Sequence, residues 1–121
     1  MVRQRKNIER RLENLRAEFE GLAGATVDTE WRGAVGNPTR LLIGASRVAA
    51  LIVTKSLEGA FSGNVHRSTD IGNLILQAGR PVCVASTNQE NFRINKVLVG
   101  WKDTREARRA VADAMLFLQL A

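Results

Sequence analysis

The chain has 121 residues, of which 45% are hydrophobic and 25% charged, with a formal net charge of +6. This length suits one domain with a modest core, and the composition is that of an ordinary soluble globular protein. No apolar run predicts a membrane span or a secretory signal, and the single cysteine, Cys83, excludes an internal disulfide, so a reducing cytoplasm is the expected location.

The first predicted element is an amphipathic helix over residues 2–22, which Gly21 and Gly24 are expected to end. Its large apolar residues recur at a spacing of four and three and share one face: Ile8, Leu12, Leu15, Phe19 and Leu22. The spacing lasts for only about two heptads, which favours packing of this face on a sheet over a coiled coil.

Two strands and a helix are predicted next. Residues 26–32 alternate between apolar and charged side chains, which predicts a half-exposed edge strand. Asn37 and Pro38 predict the start of a helix that runs to about residue 48. The apolar run at residues 50–54 is typical of a strand covered on both faces. These elements form one predicted strand–helix–strand unit.

A second unit of this kind shares the strand at residues 50–54. A helix is predicted from Ile71 to Ala78, with Asp70 among its capping residues and Gly79 at its end. The strand at residues 82–85 follows, and Cys83 within it is expected to be a small buried residue. Two parallel strands joined by a helix indicate an α/β fold.

The C-terminal third is predicted to contain a polar linker, a strand and a helix. The linker covers residues 87–95 and the apolar strand residues 96–101. Asp103 and Glu106 have the spacing of a capping box for a helix over residues 104–120. The side chains expected to face inward are Ala107, Ala110, Val111, Ala114 and Leu118.

The usual catalytic patterns are missing from the sequence, so the chain is expected not to be an enzyme. One histidine and one cysteine exclude most zinc sites, and neither a P-loop nor a nucleophile elbow is present. His66 lies in a polar loop without an identifiable nucleophile, which favours a solvent-exposed histidine over a general base.

The loop over residues 55–70 is the candidate ligand site, because α/β proteins bind ligands where parallel strands end. Its glycines would let backbone N–H groups approach a phosphate at the start of the following helix. Its charged side chains are mixed, with Lys55, His66 and Arg67 favouring an anion and Glu58 and Asp70 opposing one.

Three stretches, residues 50–54, 70–85 and 96–107, together resemble the universal stress protein family. The resemblance covers nearly the whole chain and is strongest over residues 79–82 and 97–107. It is closest to tandem members, in which the last strand of one repeat leads through a linker to the first strand of the next.

The resemblance implies an open, mostly parallel, three-layer sheet with helices on both faces (universal stress/adenine-nucleotide alpha-hydrolase-like). Residues 1–86 would be the C-terminal part of one repeat, 87–95 a linker, and 96–121 the first strand and helix of a second repeat. The chain would then be a fragment or natural truncation that lacks the central strand beside residues 50–54. Residues 96–101 would fill this place in the same chain or in a second copy, giving an incomplete, permuted or strand-swapped sheet.

Many members of the family bind ATP through glycines and a Ser or Thr at fixed spacing. The matching residues here would be Lys55, Gly59, Gly63, Gly72 and Asn73. The match is inexact, because three residues rather than two separate the first two glycines, eight rather than nine separate Gly63 from Gly72, and Asn73 replaces Ser or Thr. Lys102 also stands where the family has an Asp.

The sequence therefore predicts a non-enzymatic, cytoplasmic, universal stress protein-like module without a cofactor or membrane contact. It would act through self-association, as a homodimer, and the resemblance implies a role in a stress response. The first alternative is a version that binds ATP or another nucleotide at the loop after residue 54. The second is a basic nucleic-acid-binding module using the helix Arg3–Arg16. The spread of basic residues along the chain favours solvated faces over this alternative.

Overall fold

The computed structural model describes residues 2–55, 68–86 and 91–121. Within these ranges the chain combines helices with two parallel strands, which is compatible with the expected α/β class. The chain divides into two compact units, residues 1–35 and residues 36–121. The sequence patterns do not indicate a division at this point.

The first unit contains one long helix, α1 (Val2–Ala23), which confirms the helix predicted over residues 2–22. Gly24 has a φ of 60° and ends the helix in the left-handed region. Gly21, the other predicted stop, lies inside the helix. On the exposed surface of α1, ion pairs between residues four positions apart join Arg5 to Glu9 at 3.3 Å and Arg16 to Glu20 at 2.8 Å.

The edge strand predicted over residues 26–32 is wrong, because these residues form neither helix nor strand. Trp31 packs against Phe19 of α1, with ring centroids 5.5 Å apart. A strand needs a neighbour for its backbone hydrogen bonds, and the only strands in the described ranges pair with each other. The strand–helix–strand unit predicted to begin here is therefore wrong as well.

The second unit begins with α2 (Pro38–Ala45), which a 3-10 turn (Ser46–Val48) continues. The predicted helix start is confirmed, because Asn37 Oδ1 accepts a hydrogen bond from the backbone N–H of Arg40 at 3.1 Å. Proline is tolerated at the first helical position, because a backbone N–H at that position would have no hydrogen-bond partner within the helix.

The strand–helix–strand unit predicted around residues 50–85 is confirmed. Its elements are β1 (Ile52–Lys55), α3 (Ile71–Ala78) and β2 (Val82–Ala85), and the two strands are parallel. Asp70 caps α3 as predicted, and Gly79 ends it with a φ of 62°. The strand register pairs Ile52 with Val82 and Lys55 with Ala85.

The core of this second unit is small. Ile52 and Leu74 are the buried hydrophobic residues among those described, accompanied by the buried hydroxyl side chains of Thr39 and Ser46. Helix α2 packs against α3. Cys83, expected to be buried, is only half-buried. The unit thus has a sheet and two helices around a minimal interior.

The strand predicted over residues 96–101 is not formed, so this prediction is wrong for the single chain. These residues are exposed and have no neighbouring strand within the described ranges. The apolar, β-branched composition that suggested a strand is real, but composition alone does not supply a pairing partner. Residues 91–95 are irregular, and residues 87–90, the rest of the predicted linker, lie outside the described residues.

The helix predicted over residues 104–120 is present as two helices, α4 (Arg105–Asp113) and α5 (Met115–Gln119). The predicted cap is wrong by one residue, because Thr104 Oγ1 accepts a hydrogen bond from the N–H of Ala107 at 3.3 Å. Asp103 forms an ion pair with Arg108 instead. Of the residues expected to face inward, Ala107, Val111, Ala114 and Leu118 are half-buried and Ala110 is exposed.

Candidate functional site

The predicted nucleotide site is described only in part. Lys55 is the last residue of β1 and is exposed, while Gly72 and Asn73 lie in the first turn of α3. Gly59 and Gly63 lie outside the described residues, as do His66 and Arg67. The described ranges therefore place three of the five predicted residues at the two ends of the connection between β1 and α3.

The N-terminus of α3 carries a carboxylate. Asp70 Oδ1 accepts a hydrogen bond from the backbone N–H of Asn73 at 3.0 Å. The backbone N–H of Asp70 donates in turn to Oγ1 of the buried Thr39 at 2.9 Å, which fixes the start of α3 against α2. A negative charge here interacts favourably with the helix dipole and occupies a place that an anion would otherwise take.

Gly72 and Asn73 show no feature that requires a phosphate. A Cβ atom added at Gly72 would meet Asp70 Oδ1 at 3.5 Å, an ordinary van der Waals contact. The side-chain oxygen of Asn73 accepts a hydrogen bond from Gln77 Nε2 one turn later. Each of these groups already has a role within the helix end.

A second candidate surface is the open sheet. β1 and β2 pair only with each other among the described residues, so each strand has an outer edge without a strand beside it. The residues of β1 alternate, with Ile52 buried and Val53 63% exposed. A parallel pair of two strands lacks the additional strands and the covered faces that such sheets normally have.

Residues 97–101 form an exposed apolar segment in the same unit. Leu98 is 98% exposed, and the side chains of Val97, Val99 and Trp101 are also exposed. Since the segment has the composition of a buried parallel strand, its exposure leaves a β-prone run without a strand partner among the described residues, in the same unit as a sheet with free edges.

A groove of about 850 Å³ lies between the end of α3, β2 and the pair α4–α5. The residues that line it include Ile75, the half-buried Cys83 and Phe117 as well as Arg80, Arg105 and Arg109. Ion pairs join Arg105 to Glu106 at 3.5 Å and Arg109 to Asp113 at 3.8 Å, so two of these three arginine charges are paired. Sequence reasoning missed this groove, because the placement of α4 is not encoded locally.

In the first unit, an exposed ion pair joins Glu30 and Arg32. Arg32 donates two hydrogen bonds, of 2.8 and 3.1 Å, to the carboxylate of Glu30. This contact lowers the pKa of Glu30 and raises the pKa of Arg32. Both side chains are exposed, so the pair is a surface feature and not a poised acid or base.

The described residues contain no cluster of three or more His, Cys, Asp or Glu side chains able to hold a metal ion. None of the helices in the described ranges combines the length and apolar character that crossing a bilayer would need. No family model, no curated protein and no solved structure matches this chain.

Proposed function

We propose that this chain is a non-enzymatic self-association module in which residues 97–101 of one copy pair, as a strand, with the free edge of β1 in a second copy. The observation that carries the proposal is the coexistence of an exposed β-prone segment and an unpaired sheet edge in one unit. If two identical chains exchanged these segments, each exposed segment would gain a strand partner and each unpaired edge of β1 would be paired. The result would be a closed, symmetric dimer.

The universal stress protein resemblance supports the choice of edge. In that family the strand corresponding to residues 96–101 is central and lies beside the strand corresponding to β1. Pairing between two copies would then extend the open sheet of each copy toward the three-layer arrangement with helices on both faces, although the sheet would still lack one strand of the family. A role in a cytoplasmic stress response is part of this proposal and is based on the resemblance.

The short interior of the second unit also supports completion by a partner. Only Ile52 and Leu74 are buried hydrophobic residues among those described, and small interiors rarely offset the conformational entropy lost on folding. A third strand paired with β1 would widen the sheet and add its apolar side chains to the core.

Native mass spectrometry of the purified chain and of the Leu98→Asp variant tests this proposal. Because Leu98 is 98% exposed in the single chain, an aspartate there costs the monomer little, whereas it would interrupt an apolar strand placed inside a sheet. We expect the wild-type chain to show a dimer and Leu98→Asp to lose the strand-mediated part of that association.

The matched control is Leu120→Asp, which makes the same chemical change at another exposed leucine and is expected to leave association unchanged. Equal association of the wild-type chain and Leu98→Asp would contradict the proposal. The same spectrum reports retained nucleotide, and an ATP-sized added mass would favour the nucleotide-binding alternative, which stays a prediction.

A further inference from the structure

The apolar face of α1, in the first unit, is partly exposed. Ile8 and Leu15 are 42% and 43% exposed, Leu22 is more exposed still, and Leu12 and Phe19 are half-buried. Trp31 packs against Phe19 and widens this apolar surface near the C-terminal end of the helix. A stripe of this kind is normally covered by another element.

The charges that border this apolar face follow a regular pattern. Helix geometry places Arg11 and Glu18 along one border, and Glu9 and Arg16 along the other. Each border therefore carries one arginine and one glutamate seven residues apart, in opposite order along the chain. The outer face of the helix carries further charged residues, such as Arg10.

The apolar stripe and its two borders have centres that lie close together along the helix. The apolar residues pair about a midpoint between residues 13 and 14, with Leu12 related to Leu15 and Ile8 to Phe19. Residues 11 and 18 have their midpoint one residue later, and residues 9 and 16 have theirs one residue earlier. A two-fold axis between residues 13 and 14 therefore relates each border charge approximately to an opposite charge.

We propose that α1 packs in an antiparallel orientation against α1 of a second copy of this chain. The two-fold axis then sets Arg11 against Glu18 of the second copy on one border and Glu9 against Arg16 of the second copy on the other. By symmetry every pair occurs twice, so four opposite-charge pairs flank an apolar seam. Flanking charges of this kind select partner and orientation in paired helices.

A parallel arrangement of the same helices is disfavoured by the same charges. In a parallel pair, the residue on one border faces the residue five positions later on the other helix. Arg11 would then face Arg16 of the second copy on both sides, giving two like-charge contacts. The charge pattern thus disfavours one orientation as well as favouring the other.

The existing ion pairs within α1 extend the network. Glu9 already pairs with Arg5 at 3.3 Å, and Arg16 already pairs with Glu20 at 2.8 Å. In the antiparallel pair these contacts form a row of four alternating charges. The row runs from Arg5 and Glu9 of one helix to Arg16 and Glu20 of the second copy. Arg11 and Glu18, in contrast, have no ion-pair partner among the described residues.

This inference does not rest on strand exchange, because it uses residues of the first unit alone. Association through α1 can be measured separately from strand exchange in the Leu98→Asp background, where strand exchange is disabled. Arg11 and Glu18 are the residues to vary, because no charged residue lies three or four positions from either, and reversing them leaves the charge pairs within the helix intact.

The test is sedimentation equilibrium of four variants in that background, over a range of concentrations. Arg11→Glu and Glu18→Arg each replace two attractive contacts by two repulsive ones, and each is expected to weaken association about tenfold. The double variant Arg11→Glu/Glu18→Arg restores opposite charges and is expected to return to within about threefold of the parent. Arg10→Glu, with the same charge change on the outer face, is the matched control.

A mixture of the two single variants gives a more decisive test than either variant alone. Arg11→Glu and Glu18→Arg, each weak alone, are expected to associate with each other about as tightly as the parent, because every border contact is then attractive. Circular dichroism of each variant confirms that α1 still forms.

Three results would overturn the proposal. Tighter association of Arg11→Glu would show a parallel pair, since the new glutamate would face Arg16 of the second copy. Equal association of all variants, or no association in the Leu98→Asp background, would show that a second copy does not cover this face.

Discussion

Asp70 joins several contacts at the start of α3. Its side chain caps the helix by accepting a hydrogen bond from the N–H of Asn73, and its own N–H donates to Thr39 Oγ1. Its carboxylate also adds a negative charge where the predicted nucleotide site would need a positive one. The cap itself was predictable from sequence, because the signal is local. Thr39 as its partner was not, because that contact links residues 31 positions apart.

The two glycines at either end of α3 have different roles, which a pair of alanine substitutions separates. Gly72 has helical backbone and room for a Cβ, so Gly72→Ala is expected to raise the free energy of unfolding by about 0.5 kcal/mol. Gly79 has a φ of 62°, so Gly79→Ala is expected to lower it by about 1 kcal/mol.

Urea denaturation followed by circular dichroism measures both changes. A loss of stability in Gly72→Ala as large as that in Gly79→Ala would show that the first turn of α3 does not have the described geometry. Calorimetric titration of Gly72→Ala with ATP also tests the nucleotide-binding alternative. Abolished ATP binding in a stable Gly72→Ala protein would support the nucleotide alternative.

At the scale of elements, the sequence predicts the helices well and the strands unevenly. Helices α1, α2 and α3 carry local caps and apolar spacing, which do not depend on the rest of the chain. The strands at residues 26–32 and 96–101 were predicted from the same kind of local pattern and do not form. A strand requires a neighbour, and the sequence does not state which neighbour is available.

The contact between α2 and α3 depends on one buried hydroxyl. Thr39 is 4% exposed, and its Oγ1 is the acceptor for the N–H of Asp70. Thr39→Val keeps the shape and removes this acceptor, so it is expected to lower the free energy of unfolding by about 1–2 kcal/mol.

The control for this prediction is Thr39→Ser, which retains the hydroxyl and loses only a methyl group. Urea denaturation of both variants should therefore place the serine variant between the wild type and the valine variant. Equal stability of Thr39→Val and the wild type would mean that the N–H of Asp70 has another acceptor.

At the scale of the whole molecule, the exposed apolar surfaces belong to two different units. The first unit presents the face of α1, and the second presents the free sheet edges and residues 97–101. Large exposed apolar surfaces mark interaction sites in soluble proteins. The sequence predicted self-association and left open whether the strand at residues 96–101 pairs within the same chain or with a second copy. It did not predict an exposed α1, because an amphipathic helix carries no signal of what covers it.

Strand exchange is tested most directly by hydrogen exchange of residues 96–101, measured by mass spectrometry at two protein concentrations. Pairing with β1 of a second copy would place the backbone N–H groups of this segment in a sheet, so their exchange should slow at the higher concentration and recover on dilution. The same segment in Leu98→Asp should exchange rapidly at both concentrations. Rapid exchange of the wild-type segment at every concentration, in a sample that is dimeric by mass, would contradict strand exchange.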